Sequence, residues 1–378
     1  MFLKSLILTG AIQGVFLILL LKIKRKNSES DQLLIIWLGI MAAQLLFYYD
    51  NLSINPLALN SIQLLGFSLP LISSPALYLY IRSLSFSGQF YWKKTWIHLL
   101  PYLLFNLVVF YFYFINPAHV RVSNGIPYFQ VPRVTAFFLI ALLAIIPGYY
   151  AILSLFVLLK YQKLLPDNYS YTEKINLNWL KWIVISLLAL FVTLFVIIKY
   201  GVGLGPLTYQ NLFAVVGSIL SLYIFFIGYF GLRQTAIFTD IPATINIVAE
   251  ANLQANYKNS GIDGEMAEQL FQKLKIHMEE SKPFLDEDLS LAVLARQLDM
   301  TANQLSQVIN QKSPSNFFNF INGYRVQAIK EKLKDPAYSH YSILAIGYDC
   351  GFRSKASLNK IFKQMTGKTP SAYQKDPN

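Results

Sequence analysis

The chain has 378 residues, of which 54% are hydrophobic and only 14% are charged, and its formal net charge is +12. This composition is typical of a membrane protein rather than a soluble globular one. The single cysteine, Cys350, excludes an intrachain disulfide and is predicted to be a core residue. Acidic residues are concentrated after Arg233, since those before it are only Glu29, Asp31, Asp50, Asp167 and Glu173.

Seven apolar segments lie before Arg233. Each is close to the roughly 20 residues that a helix needs to cross the hydrocarbon core of a bilayer. Pro70, Pro75 and Pro147 predict kinks in the third and fifth segments. The segments are Ser5–Leu21, Leu33–Tyr49, Ile62–Ile81, Trp96–Ile115, Val134–Leu159, Trp182–Ile198 and Leu212–Leu232.

Basic residues are frequent in the first, third and fifth connections between these segments and rare in the others. The positive-inside rule therefore places the odd connections in the cytoplasm. With seven spans, the N-terminus lies outside and the chain after Arg233 lies inside, which predicts a multi-pass protein of the inner (cytoplasmic) membrane. The odd connections hold Lys22, Lys24, Arg25, Lys26, Arg82, Lys93, Lys94, Lys160, Lys163, Lys174 and Lys181, and the even ones hold Arg121, Arg133 and Lys199.

The C-terminal part of the chain contains one helical pattern twice. Apolar residues of the first copy recur 52 positions later before the turn and 53 positions later after it, because the second turn is longer. Thr301 and Ser354 stand where a hydroxyl side chain caps a helix. Each copy is therefore predicted to be a helix, a tight turn and a second helix with one apolar face. The matched pairs are Leu291 and Ile343, Leu294 and Ile346, Ala295 and Gly347, Leu298 and Cys350, Met300 and Phe352, Leu305 and Leu358, Val308 and Ile361, and Ile309 and Phe362.

Residues from Asp286 to Tyr373 resemble the DNA-binding domain of the AraC/XylS family of transcription regulators. The chain departs from the family pattern at Gly347, where Ala is usual, and at Asp299, where Gly is common. Gly in a helix costs about 1 kcal/mol relative to Ala, and Asp tolerates a left-handed turn, so both departures are compatible with the family fold. The resemblance rests on Gly351, Phe352, Phe362, Lys363, Gly367, Thr369, Pro370 and Tyr373, on Leu294, Ala295, Leu305 and Ser306, and on Tyr324 and Arg325.

The resemblance implies an all-helical domain whose two recognition helices enter successive major-groove turns on one face of double-stranded DNA. A homodimer is expected, with RNA polymerase as a further partner. Base readers should lie on the faces that point away from the apolar residues. Asn and Gln side chains bond adenine in a bidentate way, and Lys favours guanine edges or phosphates.

The candidate DNA-contacting residues therefore come from both second helices and their N-terminal flanks. Basic residues dominate this end of the chain, which favours phosphate binding. The acidic run Asp286–Asp288 is expected to lie away from the duplex. The alternative, that these are only solvated helix faces, is disfavoured by the repeat. The candidates are Thr301, Ala302, Asn303, Gln304, Ser306 and Gln307, then Arg353, Ser354, Lys355, Ala356, Ser357, Asn359, Lys360, Lys363 and Lys368.

The segment between the two parts, residues 234–281, is predicted to be a cytoplasmic linker. Apolar residues at spacings of three and four in its second half predict an amphipathic helix that ends before Pro283. Its apolar face packs either on the DNA-binding domain or on a second chain, and the sequence leaves both open. The residues of this face are Ala267, Leu270, Phe271, Leu274 and Met278.

Three functions are open for the membrane part. The first is a receptor, in which an unknown small molecule or membrane signal controls the DNA-binding domain. The second is a transporter or channel for a neutral solute that also regulates transcription, because the span interiors contain no charged residue for ion-coupled transport. A membrane enzyme has no support, since the histidines show no paired-ligand spacing. Polar residues inside the spans either line a ligand pocket or bond neighbouring helices; they are Gln13, Gln44, Asn106, Thr193 and Ser218.

The sequence thus predicts a membrane-integral, one-component transcription regulator that is not an enzyme. Its predicted fold class is all-α: a polytopic helical domain of seven spans followed by a tandem helix-turn-helix domain. The predicted boundaries are 1–233 for the membrane domain, 234–281 for the linker and 282–378 for the DNA-binding domain. No metal or other cofactor is expected.

Overall fold

The computed structural model describes residues 2–24, 28–53, 60–87, 95–115, 120–123, 126–173, 175–200, 209–233, 245–246, 263–313 and 315–375. The chain forms two compact units, one of Met1–Leu159 with Leu177–Thr244 and one of Lys160–Asn176 with Ile245–Asn378. Helices dominate both units, which confirms the all-α prediction. The strands are short, namely β1 Phe86–Ser87, β2 Val120–Ser123, β3 Ile126–Phe129 and β4 Ile245–Asn246, and β2 pairs with β3 in antiparallel register.

A helix is present at each of the seven predicted apolar segments. The third segment is divided into two helices, and Pro70 begins the second of them, where its missing N–H is tolerated. The fourth segment begins as a 3-10 helix and ends as a π-helix. The helices are α1 Phe2–Ile23, α2 Glu29–Asn51, α3 Asn60–Phe67, α4 Pro70–Ser85, α5 Leu100–Phe110, α6 Arg133–Asn168, α7 Asn178–Tyr200 and α8 Tyr209–Arg233.

Five helical stretches among the described residues are long and apolar enough to cross a membrane. Asn178–Leu194 is apolar but shorter, and the divided third segment offers no single helix of sufficient length. The count of seven spans therefore stays a prediction. The five stretches are Phe2–Ile23, Glu29–Asn51, Trp96–Ile115, Phe137–Asn168 and Asn211–Phe230.

The surface of α1 shows why this unit suits a lipid environment. One face of α1 packs against α2 and α8 and is buried. The rest of the helix exposes large apolar side chains, with Ile12, Phe16 and Leu19 at 61, 51 and 53% exposure. A helix that is apolar all round but covered by protein on one face only is stable when lipid covers the remainder.

Small and polar residues join the helices of the first unit. A Cβ atom at Gly10 of α1 would lie only 2.4 Å from the Oγ atom of Ser221, so glycine permits the close approach of α1 and α8. The Asn106 side chain of α5 donates to the hydroxyl of Ser68, which lies between α3 and α4, at 2.8 Å. Gln44 instead bonds the Tyr48 hydroxyl within its own helix, also at 2.8 Å. The bond between elements favours a packing role for Asn106, whereas Gln44 lines a cavity.

The second unit contains the tandem repeat and the amphipathic helix that precedes it. Of the two alternatives for that helix, the structure shows packing on the repeat domain, because Phe271 and Leu274 share one apolar core with Leu294. The compact unit therefore begins before residue 282, the predicted boundary. Its helices are α9 Gly264–Glu280, α10 Leu291–Gln297, α11 Ala302–Lys312, α12 Phe317–Lys334, α13 Ile343–Asp349, α14 Lys355–Thr366 and α15 Pro370–Lys375.

Helix α12 joins the two copies of the repeat. Phe317 and Ile321 in its first half belong to the core of the first copy, and Val326 and Ile329 belong to the core of the second. Both copies of the repeat therefore pack against the same helix. The second unit also includes residues 160–176, which are the last nine residues of α6 and most of the connection to α7.

Candidate nucleic-acid interface

Helices α11 and α14 begin in the same way. The Thr301 hydroxyl accepts from the backbone N–H of Gln304 at 3.2 Å, and the Ser354 hydroxyl accepts from that of Ser357 at 3.0 Å. Both residues are N-caps, as predicted. The buried apolar residues also correspond, with Leu305, Val308 and Ile309 in α11 and Leu358, Ile361 and Phe362 in α14. The predicted repeat is confirmed.

The surroundings of Asp299 and Gly347 explain both departures from the family pattern. Asp299 has a φ of 56°, the left-handed conformation that Asp tolerates. At Gly347, a Cβ atom would lie 2.6 Å from the Cδ2 atom of Leu358. Glycine in α13 therefore lets α14 pack closely against it, which offsets the helix-propensity cost of about 1 kcal/mol.

The candidate DNA-contacting residues in and around α14 are exposed or partly exposed to solvent. Lys355, Ala356, Lys360 and Lys363 are exposed. The remaining candidates here, Arg353, Ser354, Ser357, Asn359 and Lys368, are partly exposed. For the candidates within α14, the helical period turns the side chains away from the buried Leu358, Ile361 and Phe362.

The outward face of α11 is narrower than predicted. Ser306 and Gln307 are only 9 and 4% exposed, so the expectation that they face solvent is wrong. Contacts with α9, α10 and α12 enclose α11, and Lys312 of α11 pairs with Glu268 of α9 at 2.8 Å. Thr301 is exposed, and Ala302, Asn303 and Gln304 are partly exposed.

Gln304 also stabilises the N-terminus of α11. Its side-chain oxygen accepts from the backbone N–H of Thr301 at 2.9 Å and completes a capping box with that residue. In this position the amide oxygen is occupied at the start of α11. Asn303 is therefore the candidate of α11 best suited to reach a base edge.

The acidic run before the first copy contacts one of the candidate DNA-contacting residues. The Asp288 carboxylate forms an ion pair with the Arg353 guanidinium, and Arg353 Nε donates to the backbone carbonyl of Glu287 at 3.1 Å. The expectation that this run lies away from the duplex stays a prediction, but two of its residues contact Arg353, a candidate DNA-contacting residue. Charge-assisted bonds between a guanidinium and a carboxylate bring the two segments together.

Arg325 is the central polar residue of this region, and its role was not predicted. It is 1% exposed, and burial lowers its pKa to about 10, so it remains charged at neutral pH. A guanidinium has five N–H donors, and they bond the carbonyls of Phe284, Asp286 and Ser170, the Ser170 hydroxyl and the Asn322 side chain. Two features of the sequence pointed to Arg325: it is among the residues that carry the family resemblance, and it lies on a helix face with Ile321 and Ile329.

Cys350 is a core residue, as predicted. Its side chain is buried in the apolar core of the second copy, and burial raises the pKa of its thiol to about 11. In the described part of the chain, no group of three or more His, Cys, Asp or Glu side chains is arranged to hold a metal ion. His119 lies outside the described residues.

Residues 294–376 match the family model of a helix-turn-helix domain. The C-terminal domain is an AraC-type helix-turn-helix domain. An uncharacterized HTH-type transcriptional regulator of Staphylococcus aureus (strain COL) is 32% identical over 90 residues, which are 24% of this chain and 12% of that protein. No solved structure matches the chain. A domain of this kind supports DNA binding in transcription regulation, and the apolar helices that precede it fit a membrane domain.

Proposed function

We propose that the protein is a membrane-integral, one-component transcription regulator. Its apolar helices receive a signal, and its AraC-type domain binds double-stranded DNA in response. The observation that carries this proposal is the presence, in one chain, of helices long and apolar enough to cross a membrane and of an AraC-type domain. Sensor and DNA reader are then one polypeptide, and no catalytic activity is needed to connect them.

The position of residues 160–176 supports the proposed topology. Lys160 and Lys163 lie near the end of α6 and predict that this end of the helix and the connection to α7 are cytoplasmic. The same connection belongs to the compact unit that contains the AraC-type domain. The positive-inside rule and the packing therefore favour the same side of the membrane for both, which is the side where DNA is found.

Fusions to a reporter that fluoresces only in the cytoplasm test this topology. Fusions after Lys26, Lys94 or Arg233 should fluoresce, because the positive-inside rule places these points in the cytoplasm. Fusions after Ser53 or Gly125 should be dark. Fluorescence after Gly125 would contradict the seven-span arrangement. Lys26, Lys94 and Gly125 lie outside the described residues.

We propose that α14 reads base edges in the major groove and that the lysines around it bind phosphates. Recognition helices contact base edges mainly through their N-terminal residues. Lys355, Ala356 and Ser357 occupy that part of α14, and Asn359 follows one helical turn after Lys355. In the first copy, Thr301, Ala302, Asn303 and Gln304 occupy the equivalent part of α11.

Two substitutions on α14 separate base reading from phosphate binding. Asn359→Ala should cost about 1 to 3 kcal/mol and relax the preference at one operator position, because an amide reads base edges. Lys363→Ala should weaken binding to all duplexes equally and reduce its salt dependence. Binding selections from random duplexes, with salt titrations, distinguish the two effects. Equal, sequence-independent losses from both substitutions would show that Asn359 does not read bases.

Genomic footprinting of the full-length protein, and of a variant that lacks residues 1–159 and 177–233 but keeps residues 160–176 of the second unit, tests the proposed regulation as a whole. Deletion of the membrane part should change occupancy at the same genomic sites rather than select new ones. We also propose a homodimer that contacts RNA polymerase at its target promoters. Confinement of the chain to a membrane raises the local concentration of partners and so favours dimers.

A further inference from the structure

Residues 169–173 form a segment, here called the docking segment, that is inserted into the second unit. They follow the end of α6 at Asn168 and precede the start of α7 at Asn178. Tyr169 and Ser290 form an antiparallel bridge, and Ser170 donates its backbone N–H and its hydroxyl to the carbonyl of Leu289, at 3.3 and 2.7 Å. The start of the first repeat copy therefore holds the docking segment by backbone bonds.

Buried polar side chains of α12 also bond the docking segment. Asn322 donates to the Ser170 carbonyl at 3.0 Å, and Arg325 donates to the Ser170 carbonyl and hydroxyl at 3.2 and 3.0 Å. All three residues are 1% exposed. The Ser170 carbonyl and hydroxyl thus accept from both terminal nitrogens of Arg325. If the docking segment withdrew, the Arg325 guanidinium would lose these two acceptors. A buried charged group without partners is costly, so the docking site is specific for a polar segment.

The far end of the docking segment contacts the start of α14. The guanidinium of Arg353 lies over the ring of Tyr171, with the central carbon 3.9 Å from the ring centroid. The hydroxyl of Ser354, the N-cap of α14, donates to the Glu173 carboxylate at 2.6 Å. Two candidate DNA-contacting residues, Arg353 and Ser354, are therefore already bonded within the protein.

The position of Glu173 matters because of its charge. The N-terminus of a helix carries a partial positive charge and attracts anions, including phosphate groups. In helix-turn-helix proteins the same end of the recognition helix approaches base edges. A carboxylate at Ser354 therefore takes an anion position at the start of α14 and repels the phosphates of an approaching duplex.

We propose that the docking segment is an intramolecular inhibitor of DNA binding. In the docked state, Tyr171 contacts Arg353, and the Glu173 carboxylate accepts from Ser354 at the start of α14. Withdrawn, it releases α14 to bind DNA. Because the segment follows α6 directly and is separated from α7 by only four residues, a signal that moves either helix can displace it. This inference rests on the proposed function and specifies how the membrane part would control the AraC-type domain.

Removal of the carboxylate gives a first test on the purified full-length protein in detergent, with a short duplex of random sequence as the probe. Glu173→Ala should bind this duplex about tenfold more tightly than the parent, because the binding-competent fraction of the protein rises. Glu265→Ala removes the same charge from an exposed position of α9 and should leave the affinity unchanged. Equal affinities of parent, Glu173→Ala and Glu265→Ala would contradict inhibition by Glu173.

A reversible crosslink gives the decisive test. Tyr169 and Ser290 face each other in antiparallel pairing, and the backbone hydrogen bond next to them joins Ser170 to Leu289. Tyr169 and Ser290 are therefore a non-hydrogen-bonded pair, and the Cα atoms of such a pair lie about 4.5 Å apart. This separation suits a disulfide. The double variant Tyr169→Cys with Ser290→Cys can therefore lock the docking segment, and the native Cys350 is buried and does not compete.

The oxidised double variant should bind the duplex at least about tenfold more weakly than the same protein after reduction. The loss of the Ser290 cap affects both redox states equally, so it cancels in this comparison. Equal binding before and after reduction would overturn the proposed inhibition while the DNA-binding function stands. Failure of the parent, Glu173→Ala and the reduced double variant to bind any duplex would instead overturn the proposed function, and the inhibition with it.

Discussion

Replacement of Gly351 by alanine should destabilise the AraC-type domain by about 3 kcal/mol or more. Gly351 has a φ of 85°, which strains any residue with a Cβ atom. That Cβ atom would also lie 2.5 Å from the carbonyl oxygen of Phe284 and 2.9 Å from Nε of Arg325. Neither atom can move easily, because the two are hydrogen-bonded to each other at 2.7 Å.

Gly367 provides the matched control for this prediction. It has a φ of 77°, but no atom lies within 4 Å of the position of its Cβ. Gly367→Ala should therefore cost only the backbone strain, about 1 to 2 kcal/mol. Hydrogen exchange of the C-terminal domain in the full-length protein measures both effects. Equal losses in the two variants would show that the close approach of Phe284 and Arg325 to Gly351 is unimportant.

Leu274→Ala should destabilise the same domain by about 2 to 5 kcal/mol, because it leaves a cavity in a packed core. Leu274 of α9 is 0% exposed and lies in one core with Leu294 and Leu305. Ile276 of the same helix is 54% exposed, and Ile276→Ala should change the stability by less than about 0.5 kcal/mol. Thermal unfolding of the domain in the full-length protein compares the two variants.

An unchanged unfolding temperature of the Leu274→Ala variant would indicate a role for α9 other than packing within its own domain. If Leu274→Ala leaves the unfolding temperature unchanged but abolishes crosslinks between chains, the apolar face of α9 serves a dimer contact. The structure instead buries that face within its own domain, so we expect the stability to fall. Any dimer contact then lies elsewhere in the chain.

The local pattern of the sequence determined the helices of the AraC-type domain and their caps. A period of 3.6 residues decides which residues of a helix share a face, so the buried positions of α11 and α14 could be predicted from spacing alone. Thr301 and Ser354 could be predicted as caps because a hydroxyl satisfies N–H groups within its own first turn. Cys350 could be assigned to the core because it aligns with Leu298.

Hydropathy predicted the apolar segments but not the division of the third one. A hydropathy pattern averages over a window, whereas the break between α3 and α4 is set at Leu69 and Pro70 by local backbone geometry. The sequence accordingly determined that the first part is apolar and helical. It did not determine how many of its helices cross a membrane as single units.

Only the tertiary structure decided which polar residues are covered. Gln307 lies on the outward face by its spacing, yet α9 and α12 enclose the helix that carries it. Asp288 and Arg353 are far apart in sequence but form an ion pair. Ser170 meets Arg325 across 155 positions of the chain. These contacts depend on how helices and loops distant in sequence pack together. The periodicity and composition of a single segment therefore do not predict them.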